Sequence, residues 1–483
     1  MKATDLGIPL DVELKLTPRP DQIEAFNTIR QWQHAADYSQ VGTGKSLVSY
    51  LYIMDKLASG KKVLVVMPPA LIPQYVMNFE KFAPGLAFTS KIIEKDRTTR
   101  HAEMDEWDNS QWPDMLFMSY QLYLKYFKQL KAYKVLVADE AHAVSNVGTK
   151  NFQSMFMHVW SRNLDLLLMT ATPTTTELET AYGQIRLRSP EKYASFGQFQ
   201  RMHCIYAAME VGGKLRKQIV GYQDIDTINR NLMEKAIRRR AIDVLSLTEP
   251  TIIDHNVVMS KEHAQLYRAL LEAWVLEKGD ELLIARNQQA LRQMALQIIT
   301  NVESFTDEPV EDTPIANLLA IVESIDLDKT KLIIFCNFQG TVRKLAKVLK
   351  KYNPALVYGD GHAAEGVEKL QNDESCRVGI LNFQSGSSGF NLQHICHHAI
   401  IYEAIGSPGL LEQAIGRIHR GGQENPVIVW IFRYCRTKSE RLFNKNLKRA
   451  EDIKHSLADP KSYVDFIQSE TLEDVKEDVG LAF

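Results

Sequence analysis

Three short clusters in this chain of 483 residues carry side chains suited to splitting a phosphoanhydride. The first is VLVADEAH, Val135 to His142, an apolar run that closes on two carboxylates and a histidine. Such a run reads as a buried parallel strand, and the carboxyl end of such strands is where α/β sheets place their chemistry. Asp139 there suits a Mg²⁺ ion, and Glu140 suits orienting or deprotonating an attacking water. Alone, four letters such as DEAH also describe a solvated strand-end turn; the company they keep argues otherwise. Upstream, SQVGTGKSLVSYLYIMDKL puts a flexible Gly-rich turn before a Lys-Ser pair and a helix. The backbone N–H groups of Gly42, Thr43, Gly44 and Lys45 are placed to cradle a β-phosphate, Lys45 to reach the β/γ-phosphates and Ser46 to ligate Mg²⁺. Ser39 stands where the strict phosphate-loop pattern has its first glycine. Downstream, in LLEQAIGRIHRGGQ, Gln413, Arg417 and Arg420 recur at i, i+4 and i+7, a spacing that predicts one shared helix face. Arginine forks in that arrangement suit the γ-phosphate of a nucleotide held by a neighbouring domain.

Positioning these groups requires sheets. From about residue 20 to 190, strands such as KKVLVVM, DMLFMSY and LDLLLMTATP alternate with amphipathic helices, which predicts a doubly wound parallel sheet. From 191 to 312 the strand signal fades and long helices are expected, in INRNLMEKAIRRRAIDVLSL and in SKEHAQLYRALLEAWVLEKGDELLIARNQQALRQMALQIIT, before an acidic linker. Arg238, Arg239 and Arg240 make its densest basic spot, read either as a nucleic-acid contact or as a solvated helix face. The strand-helix pattern restarts at TKLIIFCNF and runs to VIVWIFRY, a second parallel sheet. The expected organisation is α/β: a first domain over 1–190, a helical insertion and linker over 191–312, a second domain over 313–440 and a helical tail over 441–483.

Composition narrows the function classes. A hydrophobic content of 45% supports two to four cored domains. A net charge of -2, with a pI near 6.7, excludes wholesale polybasic binding, so any nucleic-acid contact must be a local patch. The five cysteines are scattered without C-x-x-C spacing, which predicts neither a disulfide framework nor a zinc site, even where Cys396 lies among His394, His397 and His398. No apolar run reaches membrane-spanning length and MKATDLGIPL lacks a signal-peptide core, so a soluble cytoplasmic protein is expected.

With both sheets placed, the ordered set RPDQ, VGTGKS, VVMPPALIPQY, ADEAH, TATP, IIFCNF, FQSGSSGFNLQ and QAIGRIHRGGQ resembles the superfamily-two helicases and translocases. The likeness is greatest to their Swi/Snf-type branch, through residues 228–247, MSKEHAQLY, and SGSSGFNLQ leading by YEAIGSP to QAIGRIHRGGQ. It covers most of residues 15–445. The resemblance implies two RecA-like domains, with ATP bound by the first and its γ-phosphate completed by Arg417 and Arg420 of the second. It further implies adenine recognition by Gln22, nucleotide contacts at Gly389, Asn391 and Gln413, and ATP and Mg²⁺ as cofactors. Thr170 and Thr172 are expected to couple nucleotide state to DNA, and Pro68, Ser119, Tyr120 and Asn337 to touch its phosphate backbone. Gly416, in place of an acidic residue, and TATP, in place of TGTP, depart from the branch and match the wider helicase pattern. The nearly bare motor resembles phage and bacterial enzymes that remodel forked or branched DNA. An RNA-dependent motor and a nucleotide-gated clamp that holds DNA without moving are the alternatives.

Overall fold

The structure, a computed structural model, describes residues 1–93, 112–174, 177–211, 214–279, 281–383, 391–404, 406–457, 459 and 463–469. Its contacts divide the chain into two units, Met1–Ser246 with Glu451–Pro460, and Leu247–Ala450 with Lys461–Phe483. Among the described residues no helix is long and apolar enough to cross a membrane.

In the first unit, β1 (His34–Asp37), β2 (Val63–Met67), β3 (Ser90–Ile93), β4 (Met115–Ser119), β5 (Val135–Asp139) and β6 (Asp165–Met169) alternate with helices. A hairpin follows, β7 (Cys204–Val211) with β8 (Lys214–Tyr222), and then β9 (Ala236–Ile237). The sheet order is β3-β4-β2-β5-β6-β1-β9, and every pair in it is parallel. The central strands VLVVM, MLFMS and DLLLM are buried throughout, as expected of a parallel sheet covered on both faces. This order decides where the chemistry sits. Strands β5, β6 and β1 are neighbours, and Met169 pairs in register with both Asp139 and Asp37. Three segments far apart in sequence, those after Asp37, Asp139 and Met169, therefore leave the sheet side by side at its carboxyl edge, with strands about 4.8 Å apart.

In the second unit, β10 (Thr251–Val257) is followed by a hairpin, β11 (Val275–Lys278) with β12 (Glu281–Ile284). Then come β13 (Lys331–Cys336), β14 (Ala355–Val357), β15 (Val378–Asn382), β16 (Cys396–Ile401), β17 (Ile428–Tyr434) and β18 (Ile467–Ser469). The sheet runs β14-β15-β13-β16-β17-β10-β18, again all parallel. The fold class is therefore α/β with two doubly wound parallel sheets.

The region 191–312 differs from expectation: it carries six strands and does not stand as a helical insertion. Its first part belongs to the first unit and its last part to the second, and β9 and β10 each extend one of the sheets. Local backbone breaks explain the difference. The predicted helix INRNLMEKAIRRRAIDVLSL stops after Met233 because Lys235 turns the chain through the left-handed region, with φ 55°. The second long helix is cut into Lys261–Ala273 and Gln288–Thr300. Trp274 ends the first part with φ 61°, and Gly279, with φ 55°, follows β11, which pairs antiparallel with β12. The tail is a helix, Lys438–Ser456, and then returns as β18 beside β10, Ile467 opposite Ile252.

Candidate active site

The chain leaves β1 at Asp37 and turns through residues 38–44 into the helix Lys45–Ala58. Gly42 and Gly44 hold φ values of 85° and 83°, a conformation glycine adopts without steric cost. Gly44 is also closed in, since a Cβ there would lie 2.1 Å from Gln22 Nε2. The Lys45 ammonium donates to the Ser39 carbonyl at 2.7 Å and the Gln40 carbonyl at 3.1 Å. Burial pushes its pKa down, against the opposing pull of Asp37, Glu140 and Asp139. Ser46 lies exposed on the first turn of the helix. Free N–H groups at a helix start, a lysine and a hydroxyl make an anion site. Gln22 is tied to its rim: its Oε1 accepts from the Arg19 N–H at 2.9 Å, and its Nε2 donates to the Thr43 carbonyl at 3.5 Å.

At the end of β5, Asp139 Oδ1 accepts from the Glu140 N–H at 2.9 Å. Glu140 itself has φ 51°, uncommon for a residue with a side chain, and strain of about 1–3 kcal/mol at such a position is characteristic of functional sites. Burial raises the Asp139 pKa to about 7; the Glu140 charge adds to this and Lys45 opposes it. His142 Nδ1 lies 3.1 Å from Glu140 Oε2 and 3.5 Å from Thr170 Oγ1. Burial alone lowers the imidazole pKa, but its hydrogen bond to Glu140 and the charges of Glu140 and Asp139 outweigh burial and raise it. Thr170 Oγ1 accepts from the Thr172 N–H at 3.1 Å, so a chain of contacts runs from Glu140 through His142 into the segment after β6. The arrangement puts a cation for phosphates, a carboxylate suited to a metal and a second carboxylate suited to a water at one sheet edge.

In the second unit, the helix Pro408–Ile415 carries Gln413 but ends at Gly416. Arg417 and Arg420 lie beyond it, in turns closed by Arg417 N–H to the Ala414 carbonyl at 3.2 Å and Ile418 N–H to the Ile415 carbonyl at 3.0 Å. The expected single helix face for Gln413, Arg417 and Arg420 is thus corrected, because Gly416 caps the helix and the chain tightens into a bend. His419 fixes that bend through the Thr248 carbonyl at 2.8 Å and the Tyr463 hydroxyl at 3.0 Å. Arg420 donates to Asn391 Oδ1, and Arg417 is buried. Gly389 falls outside the described residues.

Comparison with known proteins bears directly on this site. The DEAD/DEAH box helicase family matches residues 19–181, and the helicase conserved C-terminal domain matches 315–422, together more than half of the chain. The chain belongs to the superfamily-two helicases. It is an ATP-dependent helicase enzyme of that family. A similar protein is the uncharacterized ATP-dependent helicase YqhH of Bacillus subtilis, 23% identical over 86% of this chain and 75% of that one. The DNA repair and recombination protein RAD54B of Mus musculus is 21% identical over 85% of this chain and 52% of its own. The human DNA annealing helicase and endonuclease ZRANB3 is 20% identical over 80% and 35% respectively. The chain thus spans about half of RAD54B and about a third of ZRANB3. Among solved structures, the Sulfolobus solfataricus SWI2/SNF2 ATPase core in complex with dsDNA aligns over 92% of this chain and 96% of that one, at 18% identity and a TM-score of 0.42.

Three residues of this helicase, Arg238, Arg239 and Arg240, hold places other than those expected of them. Arg238 is buried against Asp459, its Nε donating to Oδ1 at 2.7 Å, and also donates to the Tyr38 carbonyl at 2.6 Å. Arg239 pairs with Asp21 at 3.0 Å and Asp37 at 3.2 Å and donates to Ser39 Oγ at 3.0 Å. Arg240 pairs with Asp243. The expected basic nucleic-acid face at Arg238–Arg240 does not form, because the strand β9 beside β1 aims the first two guanidiniums inwards at buried carboxylates. Ser119 caps the following helix, its Oγ accepting from the Leu122 N–H at 3.3 Å, and the buried Tyr120 donates to the Asp139 carbonyl at 2.8 Å. Thr170 and Thr172 are buried as well, while Pro68 is half-buried. Asn337 follows β13, with its N–H on Glu403 Oε2 at 2.6 Å.

Sequence reasoning misassigned one supporting residue and missed another. Arg239 braces the phosphate loop from the strand beside it; the acid Asp37, just before VGTGKS, was the available signal that a cation must come from elsewhere. Gln184 donates to the Ala141 carbonyl and to Ser145 Oγ, each at 2.8 Å, and accepts from the Tyr38 hydroxyl at 3.2 Å. Next to it, Gly183 packs so tightly that a Cβ would lie 2.0 Å from the Ser145 carbonyl. A glutamine inside a helix carries no pattern that announces such a role.

Proposed function

We propose that this helicase couples ATP hydrolysis to movement along DNA, and that forked or branched DNA is its preferred substrate. The observation that carries the reading is the continuous set Lys45, Asp139, Glu140, His142 and Thr170 at one sheet edge, a hydrolytic centre linked by contacts to the segment that follows β6. Glu140 accepts a proton from the attacking water, Lys45 holds the β/γ-phosphates, and Arg417 and Arg420 act on the charge of the transition state. Ser46 and Asp139 fit a Mg²⁺ ion, since a buried carboxylate crowded by a second one is relieved by a cation. When bound with ATP, that ion neutralises charge developing on the phosphates. Two similar proteins bear names of DNA repair, recombination and annealing, which supports DNA over RNA as the track.

The test is ATP turnover measured with single-stranded, duplex, forked and four-way-junction DNA and with RNA, Glu140→Gln serving as the dead control. Stimulation greatest on forks and junctions, with ATP-dependent rearrangement of them, is expected. Stronger stimulation by RNA, or turnover indifferent to any nucleic acid, refutes the DNA reading. Inactivity on forks and junctions beside robust unwinding of long linear duplex refutes the branched preference, and turnover without triplex displacement leaves only a clamp.

A further inference from the structure

The second unit holds a groove of about 750 Å³ that no step above uses. Its lining comes from β12 and Arg286 after it, from one side of the helix Gln288–Thr300, and from the Asn337–Phe338 loop with the start of the helix Gln339–Val348, including Arg343. Among the described residues the charge of this lining is one-sided: it includes two guanidiniums and no carboxylate. Both arginines are exposed, and among the described residues neither has an ion pair or a hydrogen bond. This contrasts with Arg238, Arg239 and Arg240, which are all paired.

The rest of the lining suits bases. Leu282 and Ile284 of β12 are 60% and 57% exposed, in a chain that buries most of its large apolar side chains. Phe338 shares the lining, and Gln293 and Gln297 offer amides that both donate and accept. The loop is preformed, since the Asn337 and Phe338 N–H groups both donate to Glu403 Oε2, at 2.6 and 2.9 Å. A pocket of this volume takes a ligand of drug size, about 300–1,000 Å³, which is a nucleotide or two and not the cross-section of a duplex. Exposed apolar walls match unstacked bases, whose faces a duplex hides.

We propose that this groove holds a single DNA strand, with Arg286 and Arg343 on its phosphates and the Leu282–Ile284 face against an unstacked base. The inference rests on reading the chain as a DNA motor and adds the strand and the site. Its test is fluorescence anisotropy of the full chain with a labelled oligothymidine and with a blunt duplex of the same length, across a salt series. Arg286→Gln with Arg343→Gln is expected to weaken oligothymidine binding about tenfold and to lower its salt slope by about 1.4, at about 0.7 per phosphate contact. Duplex affinity and nucleic-acid-free ATP turnover stay within about twofold of the parental values. Arg286→Lys with Arg343→Lys restores the slope, and Leu282→Ser with Ile284→Ser weakens oligothymidine about tenfold with the slope intact. These two pairs carry the test should the glutamine pair not fold. A parental chain that binds oligothymidine while the variants bind it equally, or lose both probes alike, overturns the groove assignment alone. A parental chain that binds neither probe overturns the DNA-motor reading with it.

Discussion

Replacing Arg239 by alanine separates two physical accounts of the Arg238–Arg240 run. As a nucleic-acid contact, Arg239 should be dispensable for folding. In the structure its side chain is 9% exposed and pairs with Asp37, whose side chain is fully buried, at 3.2 Å. Removing one partner of a buried pair leaves the other charge uncompensated, at about 3–5 kcal/mol. Two features put the loss near the lower end of that range. Asp21, the second partner, keeps Arg19 at 2.9 Å, and Lys45 stays within electrostatic reach of Asp37. For a unit of this size about 1 kcal/mol moves the melting midpoint by about 2–4 °C, so a loss of about 3 kcal/mol predicts a fall of about 6–12 °C in the first unit's transition. Function suffers by the same route, because Ser39 loses its guanidinium partner and Lys45 becomes the nearest cation to Asp37, drawn away from phosphates. Scanning fluorimetry, a nucleotide titration and DNA anisotropy on one preparation measure the three quantities. Arg239→Met combined with Asp37→Asn removes both charges and should recover much of the stability. Parental melting and ATP affinity, together with weakened DNA binding, would refute the reasoning.

Lys45→Ala should nearly abolish ATP turnover by removing the charge on the β/γ-phosphates; a folded variant turning over at the parental rate shows that the loop is misassigned. Glu140→Gln should bind ATP and hardly hydrolyse it, since the amide keeps the shape but accepts no proton, a result read from nucleotide titration beside single-turnover kinetics. Arg420→Ala should lower the rate by about 10³ to 10⁵ with a modest change in ATP affinity; lost binding at unchanged turnover would make it a tether. Binding of Mg·ATP should weaken as pH falls through about 7, where Asp139 takes up a proton, and Glu140→Gln should move that midpoint to lower pH by removing the like charge. A binding profile flat from pH 8 to 6 counts against that environment.

The parts of this helicase that were legible in its sequence are those where one local rule dominates. Apolar runs of the VLVVM type declare buried parallel strands, and VGTGKS declares a turn with glycines at positive φ because no other residue sits there cheaply. The region 191–312 was not legible because its helical periodicity is real but interrupted by single residues. Lys235 and Trp274 adopt positive φ, which neither side chain advertises. The arginine turn failed for a related reason: i, i+4, i+7 spacing fits a helix only if the helix continues, and Gly416 lets it stop. Charge runs were the least legible of all. Whether Arg238–Arg240 meets solvent, DNA or Asp37 and Asp459 depends on strand order, which no local window contains.

The same dependence on surroundings separates the acids at the two sheet edges. Glu403 follows β16 much as Asp139 ends β5, and burial raises the pKa of each. Glu403, however, accepts from four donors: the Thr300 and Thr341 hydroxyls, both at 2.5 Å, and the Asn337 and Phe338 N–H groups. These satisfy both oxygens and fix the loop that lines the second unit's groove. A carboxylate so engaged cannot take up and release a ligand without dismantling its support, which makes it a structural group. Asp139 instead faces the charges of Glu140 and Lys45 and shares its edge with a strained Glu140 backbone, so its environment is completed by something that binds and leaves. Two acids at similar places in similar sheets thus divide into a fixed hub and a working centre according to how many donors the neighbouring elements bring to each.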